Sequence, residues 1–133
     1  MQFLPVSNFL RRVLLADAAT CVATGLLLML GADFLEKLLG LPTNLSLCAG
    51  LGLLPFAALL VYLAAQKSFS PLLIWTVIVL NALWTADSIL LLLSGWIEPT
   101  ALGYAFVIFQ AVGVAMFAGL EYFGLRTSAT IAV

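Results

Sequence analysis

The chain has 133 residues and is 65% hydrophobic, with five Lys or Arg residues, six Asp or Glu residues and a net charge of −1. So apolar a composition excludes an ordinary water-soluble domain. The lack of histidine removes the commonest metal ligand and general base. We therefore expect an integral membrane protein without a metal site and without a nucleic-acid partner.

Charge-free windows divide the chain into four predicted transmembrane helices. No Asp, Glu, Lys or Arg falls within 38–66, 68–86 or 99–120, and 13–32 contains only Asp17. About 20 residues span the hydrocarbon core of a bilayer, so each window holds one crossing. We expect the first crossing to stay as a membrane anchor, because its apolar run is too long for a signal sequence. The predicted helices lie near 10–31, 44–66, 71–94 and 100–123.

These runs predict an all-α fold. Lipid offers no partner to backbone N–H and C=O groups, and segments such as LLIWTVIVL lack the alternation of barrel strands. Short loops force neighbouring helices to pack antiparallel. The longest connection, 33–44, is too short for a soluble domain. We predict a polytopic, antiparallel four-transmembrane-helix bundle that forms a single domain over 1–133.

The two halves of the chain resemble each other. ATGLLLMLG (23–31) is followed by Pro-Thr at 42–43, and ADSILLLLSG (86–95) is followed by Pro-Thr at 99–100. This likeness fits two tandem helical hairpins. It equally fits the general similarity of leucine-rich helices, and both origins stay open.

The basic residues predict the orientation of the bundle. Arg11, Arg12, Lys67 and Arg126 lie on the side shared by both termini, whereas only Lys37 lies on the other side. The positive-inside rule then places both termini in the cytoplasm. The expected location is a bacterial-type inner (plasma) membrane, crossed several times.

Two amides are predicted to meet at the membrane midplane. Asn81 lies about ten residues into the third helix and Gln110 about ten into the fourth, each roughly 15 Å from its own surface. An amide pair of this kind stabilises a helix contact by about 0.6–2 kcal/mol. We favour this role of fixing helix register over a ligand site.

The first helix carries a polar stripe that is expected to face the interior. Asp17, Thr20, Cys21 and Thr24 fall within one arc of the helix. Asp17 lies close enough to the inner boundary for a snorkelling arginine or water to neutralise it. Cys21 and Cys48 both fall within predicted spans, where we expect buried structural thiols and no disulfide.

The fourth helix carries a second stripe, with Glu121 at its inner end. We expect Glu121 to pair with Arg11 or Arg12 at the membrane boundary. Gly113 lies at the edge of the stripe, where a neighbouring backbone is expected to approach closely. The stripe consists of Gly103, Phe106, Gln110, Phe117 and Glu121.

Asp87 has no predicted cation near it. It lies about 10 Å below the outer surface, near the depth of Thr24. An ionised carboxylate there costs about 2.5–3.5 kcal/mol, unless water, protonation or a partner offsets it. Trp84, one turn earlier, is placed to donate its indole N–H to Asp87 or to a ligand. The candidate intramembrane polar site consists of Asp17, Thr20, Thr24, Asn81, Trp84, Asp87 and Gln110.

In general shape the chain resembles the small four-helix bacterial inner-membrane proteins of the DoxX-like kind. The resemblance rests on length, four spans, a glycine after the first helix at Gly31 and a late polar-aromatic segment at 81–88. It implies a four-helix membrane fold. No functional residue is transferred from it.

Two functions are consistent with these features. The first is a non-enzymatic small subunit or accessory protein of a membrane complex, with intramembrane grooves for lipid, quinone or pigment and no required cofactor. Its expected partners are membrane lipids and other membrane subunits or a second copy. The alternative is a small transporter or channel in which Asp17 and Asp87 are titratable sites. No catalytic residue is predicted, because no acid and base lie at one depth.

Overall fold

The computed structural model describes residues 4–132, with side chains up to residue 128. Helices form most of the described chain. Two short strands precede the first and the third of the four long helices. The helices are α1 (Asn8–Leu30), α2 (Ala32–Leu39), α3 (Thr43–Ala65), α4 (Pro71–Ser94) and α5 (Ala101–Ala132). The strands are β1 (Leu4–Pro5) and β2 (Ser68–Phe69).

The predicted all-α bundle is confirmed. Within the described residues, α1, α3, α4 and the Ala101–Ser128 part of α5 are long and apolar enough to cross a membrane. The predicted starts and ends agree with these helices to within two residues, except that α5 continues beyond 123 to Ala132. Polar residues such as Arg126 indicate where an apolar span ends, but they are compatible with a helix that continues into water.

Local sequence sets several helix ends. The hydroxyl of Ser7 accepts a hydrogen bond from the backbone N–H of Leu10 and caps α1. Pro71 opens α4, where its missing N–H is harmless. Gly40 (φ 73°) ends α2 and Gly95 (φ 78°) ends α4, both in the left-handed conformation that glycine adopts without strain.

Helix α2 lies within the segment 33–44 that was predicted to be a plain connection. Its Ala32, Leu35 and Leu39 are buried at helical spacing, while Asp33 and Glu36 are exposed. Such a helix is too short to be stable alone, so packing against α3 and α5 is what stabilises it.

The long helices form two hairpins. Helix α1 packs along α3, and α4 packs along α5. The hairpins are joined chiefly where α1 meets α5, whereas the backbones of α3 and α4 approach each other at few points. The described long helices therefore pair as two hairpins, an arrangement that the likeness between the two halves of the sequence left open.

The two ends of the bundle differ. Strand β1 pairs antiparallel with β2, with Leu4 opposite Phe69, so the N-terminal segment and the α3–α4 connection share one end. We call this the strand end and the opposite end the α2 end. The side chains of Leu10, Leu60 and Ile74 are fully buried near the strand end. Packing is therefore tight there.

Glycines allow two close helix approaches, but not at the predicted position. At the α1–α3 crossing, a Cβ added to Gly50 would lie 2.8 Å from the carbonyl oxygen of Gly25. On α5, an added Cβ at Gly103 would collide with the carbonyl oxygen of Leu39. The prediction for Gly113 is wrong, because nothing lies within 4 Å of its Cβ position. Sequence spacing identified the helix face only approximately.

Gly50→Ala is expected to lower the free energy of unfolding by about 1–3 kcal/mol, because the new methyl group overpacks the α1–α3 crossing. It would lie 2.5 Å from Cγ of Met29 and 2.8 Å from the Gly25 carbonyl oxygen. The midpoint of SDS-induced unfolding in mild detergent, followed by circular dichroism, measures the change.

Gly52→Ala is the matched control on the same helix. Nothing lies within 4 Å of its added Cβ, so it should be neutral or stabilising by up to about 1 kcal/mol. Equal destabilisation by both variants would contradict the close crossing.

Candidate functional site

A cavity of about 330 Å³ lies between the two hairpins at the α2 end of the bundle. Residues of α1, α3, α4 and α5 all line it, together with Leu41 from the loop after α2. It lies beside α3 and α4, whose backbones approach each other at few points. Its apolar wall includes Leu28, Leu41, Leu45, Leu91, Phe106 and Val107.

The mouth of the cavity lies between α3 and α4. Cys48 on α3 and Asp87 on α4 line the cavity and are also exposed, one on each side of this opening. In a membrane-spanning bundle, an opening between two helices faces the acyl chains. An apolar molecule can therefore reach the cavity sideways from the bilayer.

One wall of the cavity carries a closed hydrogen-bond network. The indole N–H of Trp84 donates to Oε1 of Gln110 at 2.6 Å. Nε2 of Gln110 donates to the hydroxyl of Ser88 at 2.9 Å and to the carbonyl of Val107 at 2.9 Å. The Ser88 hydroxyl donates to the Trp84 carbonyl at 2.8 Å. The predicted bond from Trp84 to Asp87 is wrong, because Gln110 accepts the indole N–H.

Three polar side chains at the cavity lie outside this network. Asp87, Thr24 and Ser46 line the cavity, and none makes a side-chain hydrogen bond to another described residue. Ser46 is only 1% exposed, and its hydroxyl is one of the few buried polar groups without a partner within residues 4–128. A buried hydroxyl of this kind normally has a partner. The cavity therefore presents free polar groups to whatever occupies it.

A second polar group, the carboxyl cluster, consists of Asp17, Asn81 and Glu121 and lies on the strand-end side of the cavity. Nδ2 of Asn81 donates to Oδ2 of Asp17 at 2.9 Å and to Oε1 of Glu121 at 2.7 Å. The thiol of Cys21 donates to Oδ1 of Asp17 at 3.6 Å. The three residues of the cluster are 1%, 3% and 0% exposed, respectively. The cluster thus joins α1, α4 and α5 away from the cavity.

The two carboxyl groups of the cluster share one amide. Asp17 and Glu121 accept from the same Nδ2 atom of Asn81, so their carboxyl groups lie close to each other. Carboxylate oxygens accept hydrogen bonds, and Asn81 supplies the N–H donors. Within residues 4–128, Oε2 of Glu121 is left without a hydrogen-bond partner.

The predicted midplane pair of Asn81 and Gln110 is wrong. Both residues lie at similar depths, but Asn81 contacts the carboxyl cluster and Gln110 contacts the cavity network. Helix α5 continues past its predicted end at 123, so Glu121 lies inside the helix and not at its end. Its fully buried side chain accepts a hydrogen bond from Asn81.

The predicted arginine partners of the acidic residues are also corrected. Nε of Arg11 donates to the carbonyl of Ala64 at 2.8 Å, and its Nη2 donates to the carbonyl of Gln66 at 3.2 Å. The carbonyls at the end of a helix have no partner within the helix, and these two bonds satisfy them. Arg11 therefore caps α3 instead of pairing with Asp17 or Glu121.

The structure divides the sequence-predicted polar site in two. Asp17 and Asn81 lie in the carboxyl cluster, whereas Thr24, Trp84, Asp87 and Gln110 line the cavity. Thr20 belongs to neither, because its exposed hydroxyl donates to the carbonyl of Ala16 on its own helix.

Sequence reasoning missed Ser46 and misplaced one cysteine. Ser46 follows two residues after Asn44 at the polar start of α3, and its isolated hydroxyl in an apolar helix was the available signal. Cys21 is buried as predicted, but Cys48 is exposed, and both thiols are free. Within residues 4–128, no group of three or more Cys, Asp and Glu side chains is placed to hold a metal ion.

No family model, curated protein or solved structure matches this chain. The DoxX-like resemblance therefore stays a prediction, and function is argued from the cavity and the carboxyl cluster.

Asn81→Leu is expected to lower the free energy of unfolding by about 1–3 kcal/mol, because it removes both donors to the buried carboxyl groups of Asp17 and Glu121. Leucine has a similar volume, so lost hydrogen bonding is the main effect. The midpoint of SDS-induced unfolding measures the change.

Two variants test the origin of that loss. Glu121→Gln keeps an oxygen for Asn81 and brings a donor for Asp17, so it should be tolerated. Asn44→Leu, at an exposed position of α3, should leave the midpoint unchanged. If Asn81→Leu unfolds at the same midpoint as the parent protein, the bonds at Asn81 do not stabilise the bundle.

Proposed function

We propose that this chain is a non-enzymatic small subunit or accessory protein of a membrane complex, and that its cavity binds an apolar molecule with a polar end. Lipids, quinones and pigments belong to this class. The observation that supports this proposal is the cavity of about 330 Å³ between the hairpins. Small-molecule sites have about 300–1,000 Å³, mostly apolar walls and a few placed polar groups.

The polar groups at the cavity favour binding over catalysis. Trp84, Ser88 and Gln110 hold one another in fixed positions, which suits recognition of a ligand. Asp87 is the only ionisable carboxyl group among the lining residues, and no described base lies against it. A general acid–base reaction needs a second group within reach of the same proton.

The outward faces of the second hairpin support a role as a subunit. Helices α4 and α5 bury a much smaller share of their residues within the bundle than α1 and α3 do. Their exposed side chains include Trp75, Phe109 and Met116. We propose that lipid tails and either another subunit or a second copy cover this surface.

The basic residues gathered at the strand end support an orientation of the bundle in the membrane. The β1–β2 pairing brings the N-terminal segment beside the connection that contains Lys67, and α5 contacts β1 at the same end. Arg11 and Arg12 also lie there, at the start of α1. We propose that this end faces the cytoplasm of a bacterial-type cell, with the α2 end on the other side of the inner membrane.

The transport alternative has less support. It needs Asp17 and Asp87 to lie on one polar path, but only Asp87 lines the cavity. Asp17 is 1% exposed and hydrogen-bonded within the carboxyl cluster. The two carboxyl groups thus belong to different environments.

Ala49→Phe tests the proposed function by filling the cavity. Ala49 lines the cavity from α3, and a benzyl group there should reduce the amount of bound small molecule per protein by about tenfold, the effect of overpacking by 1–3 kcal/mol. The protein is purified in mild detergent, and its extractable lipids, quinones and pigments are quantified by mass spectrometry.

Ala58→Phe provides the control, because Ala58 is exposed on the same helix and does not line the cavity. Any associated membrane proteins are identified in the same preparations. Identical small-molecule content in the parent protein and in both variants would contradict a ligand in this cavity.

A further inference from the structure

The polar groups at the cavity that have no hydrogen-bond partner differ in whether they can donate or only accept. Gln110 uses both of its amide N–H groups and its oxygen, and Trp84 uses its single N–H. The Ser46 and Thr24 hydroxyls can donate or accept, but an ionised Asp87 only accepts. The strongest free group that lines the cavity is therefore an acceptor.

The residues that line the cavity include an acidic residue but no basic one. Asp87 is the only charged residue among those that line the cavity, and no described Lys or Arg forms an ion pair with it. It lies seven residues before Ser94, the last residue of α4, which places it about 10 Å inside the span. A cation bound beside a carboxylate at that depth offsets the energetic cost of its charge inside the membrane.

We infer that the molecule taken up by this cavity is an amphipathic cation, such as a lipophilic amine, whose positive charge lies against Asp87. This inference rests on the proposed function and narrows it to one chemical class. The apolar body occupies the space between Leu28, Leu45 and Phe106. The charged group stays at the mouth between α3 and α4, where Asp87 is exposed.

The same groups disfavour the other ligand chemistries. A quinone presents carbonyl oxygens, which need donors, and an anionic lipid headgroup would meet the charge of Asp87. An ammonium group supplies several N–H donors and the complementary charge.

The test uses two fluorescent probes that share an apolar body and differ in charge. They are 9-(aminomethyl)anthracene, which is cationic at neutral pH, and the neutral 9-anthracenemethanol. The full chain is studied in lipid nanodiscs with Trp75→Phe and Trp96→Phe, which leaves Trp84 on the cavity wall as the only tryptophan. Energy transfer from Trp84 to anthracene measures binding, and the signal that remains in Ala49→Phe is subtracted as background.

We expect the cationic probe to bind at least about tenfold more tightly than the neutral one, as a charge-assisted hydrogen bond would provide. Asp87→Asn should reduce this ratio to about one, because it keeps the shape and a hydrogen-bond acceptor but removes the charge. Glu98→Gln is the matched control, since it removes one exposed negative charge from the α2 end without touching the cavity. It should keep the tenfold preference.

The outcomes separate this inference from the proposed function. Equal binding of both probes in the parent protein overturns the cationic ligand and leaves the cavity as a binding site. A cation preference that survives Asp87→Asn overturns the role of Asp87. Transfer no greater than in Ala49→Phe, for both probes, overturns the inference and contradicts the proposed function as well.

Discussion

The side-chain amide of Asn81 joins the two hairpins of this protein. Its two N–H groups bond to Asp17 on α1 and Glu121 on α5, so three helices meet at one fully buried point. In lipid, water cannot replace a lost partner, and polar groups must find partners inside the bundle. This cluster holds α1 to the second hairpin, and hydrogen bonds from Thr100 to the carbonyls of Leu38 and Leu39 join the hairpins again at the α2 end.

The residues that line the cavity fall between these two contacts along α1, α4 and α5. The backbones of α3 and α4 approach each other at few points, and apolar side chains with a few polar ones line the space between the hairpins. Trp84 and Gln110 satisfy each other, so they give the wall a fixed shape. Asp87 and Ser46 line the cavity without a side-chain hydrogen-bond partner among the described residues.

Most of the fold could be predicted, but the partners of the polar residues could not. A run of about 20 apolar residues has one stable form in a bilayer, so the four spans follow directly from composition. The pairing of Asn81 with Gln110 failed because equal depth does not mean that two side chains face each other. Arg11 was equally misassigned, since the carbonyls at the end of α3 compete for its N–H groups.

The sequence by itself therefore determined the environment, the number of spans, the approximate helix ends and the depth of most polar residues, although Glu121 lies deeper than predicted. Depth can be calculated along one helix, because each residue adds about 1.5 Å. Only the tertiary structure decided which way Asp17, Glu121 and Asp87 point and which of them share a site. Those choices depend on the rotation and spacing of helices that are distant in the chain, and packing contacts between them set both.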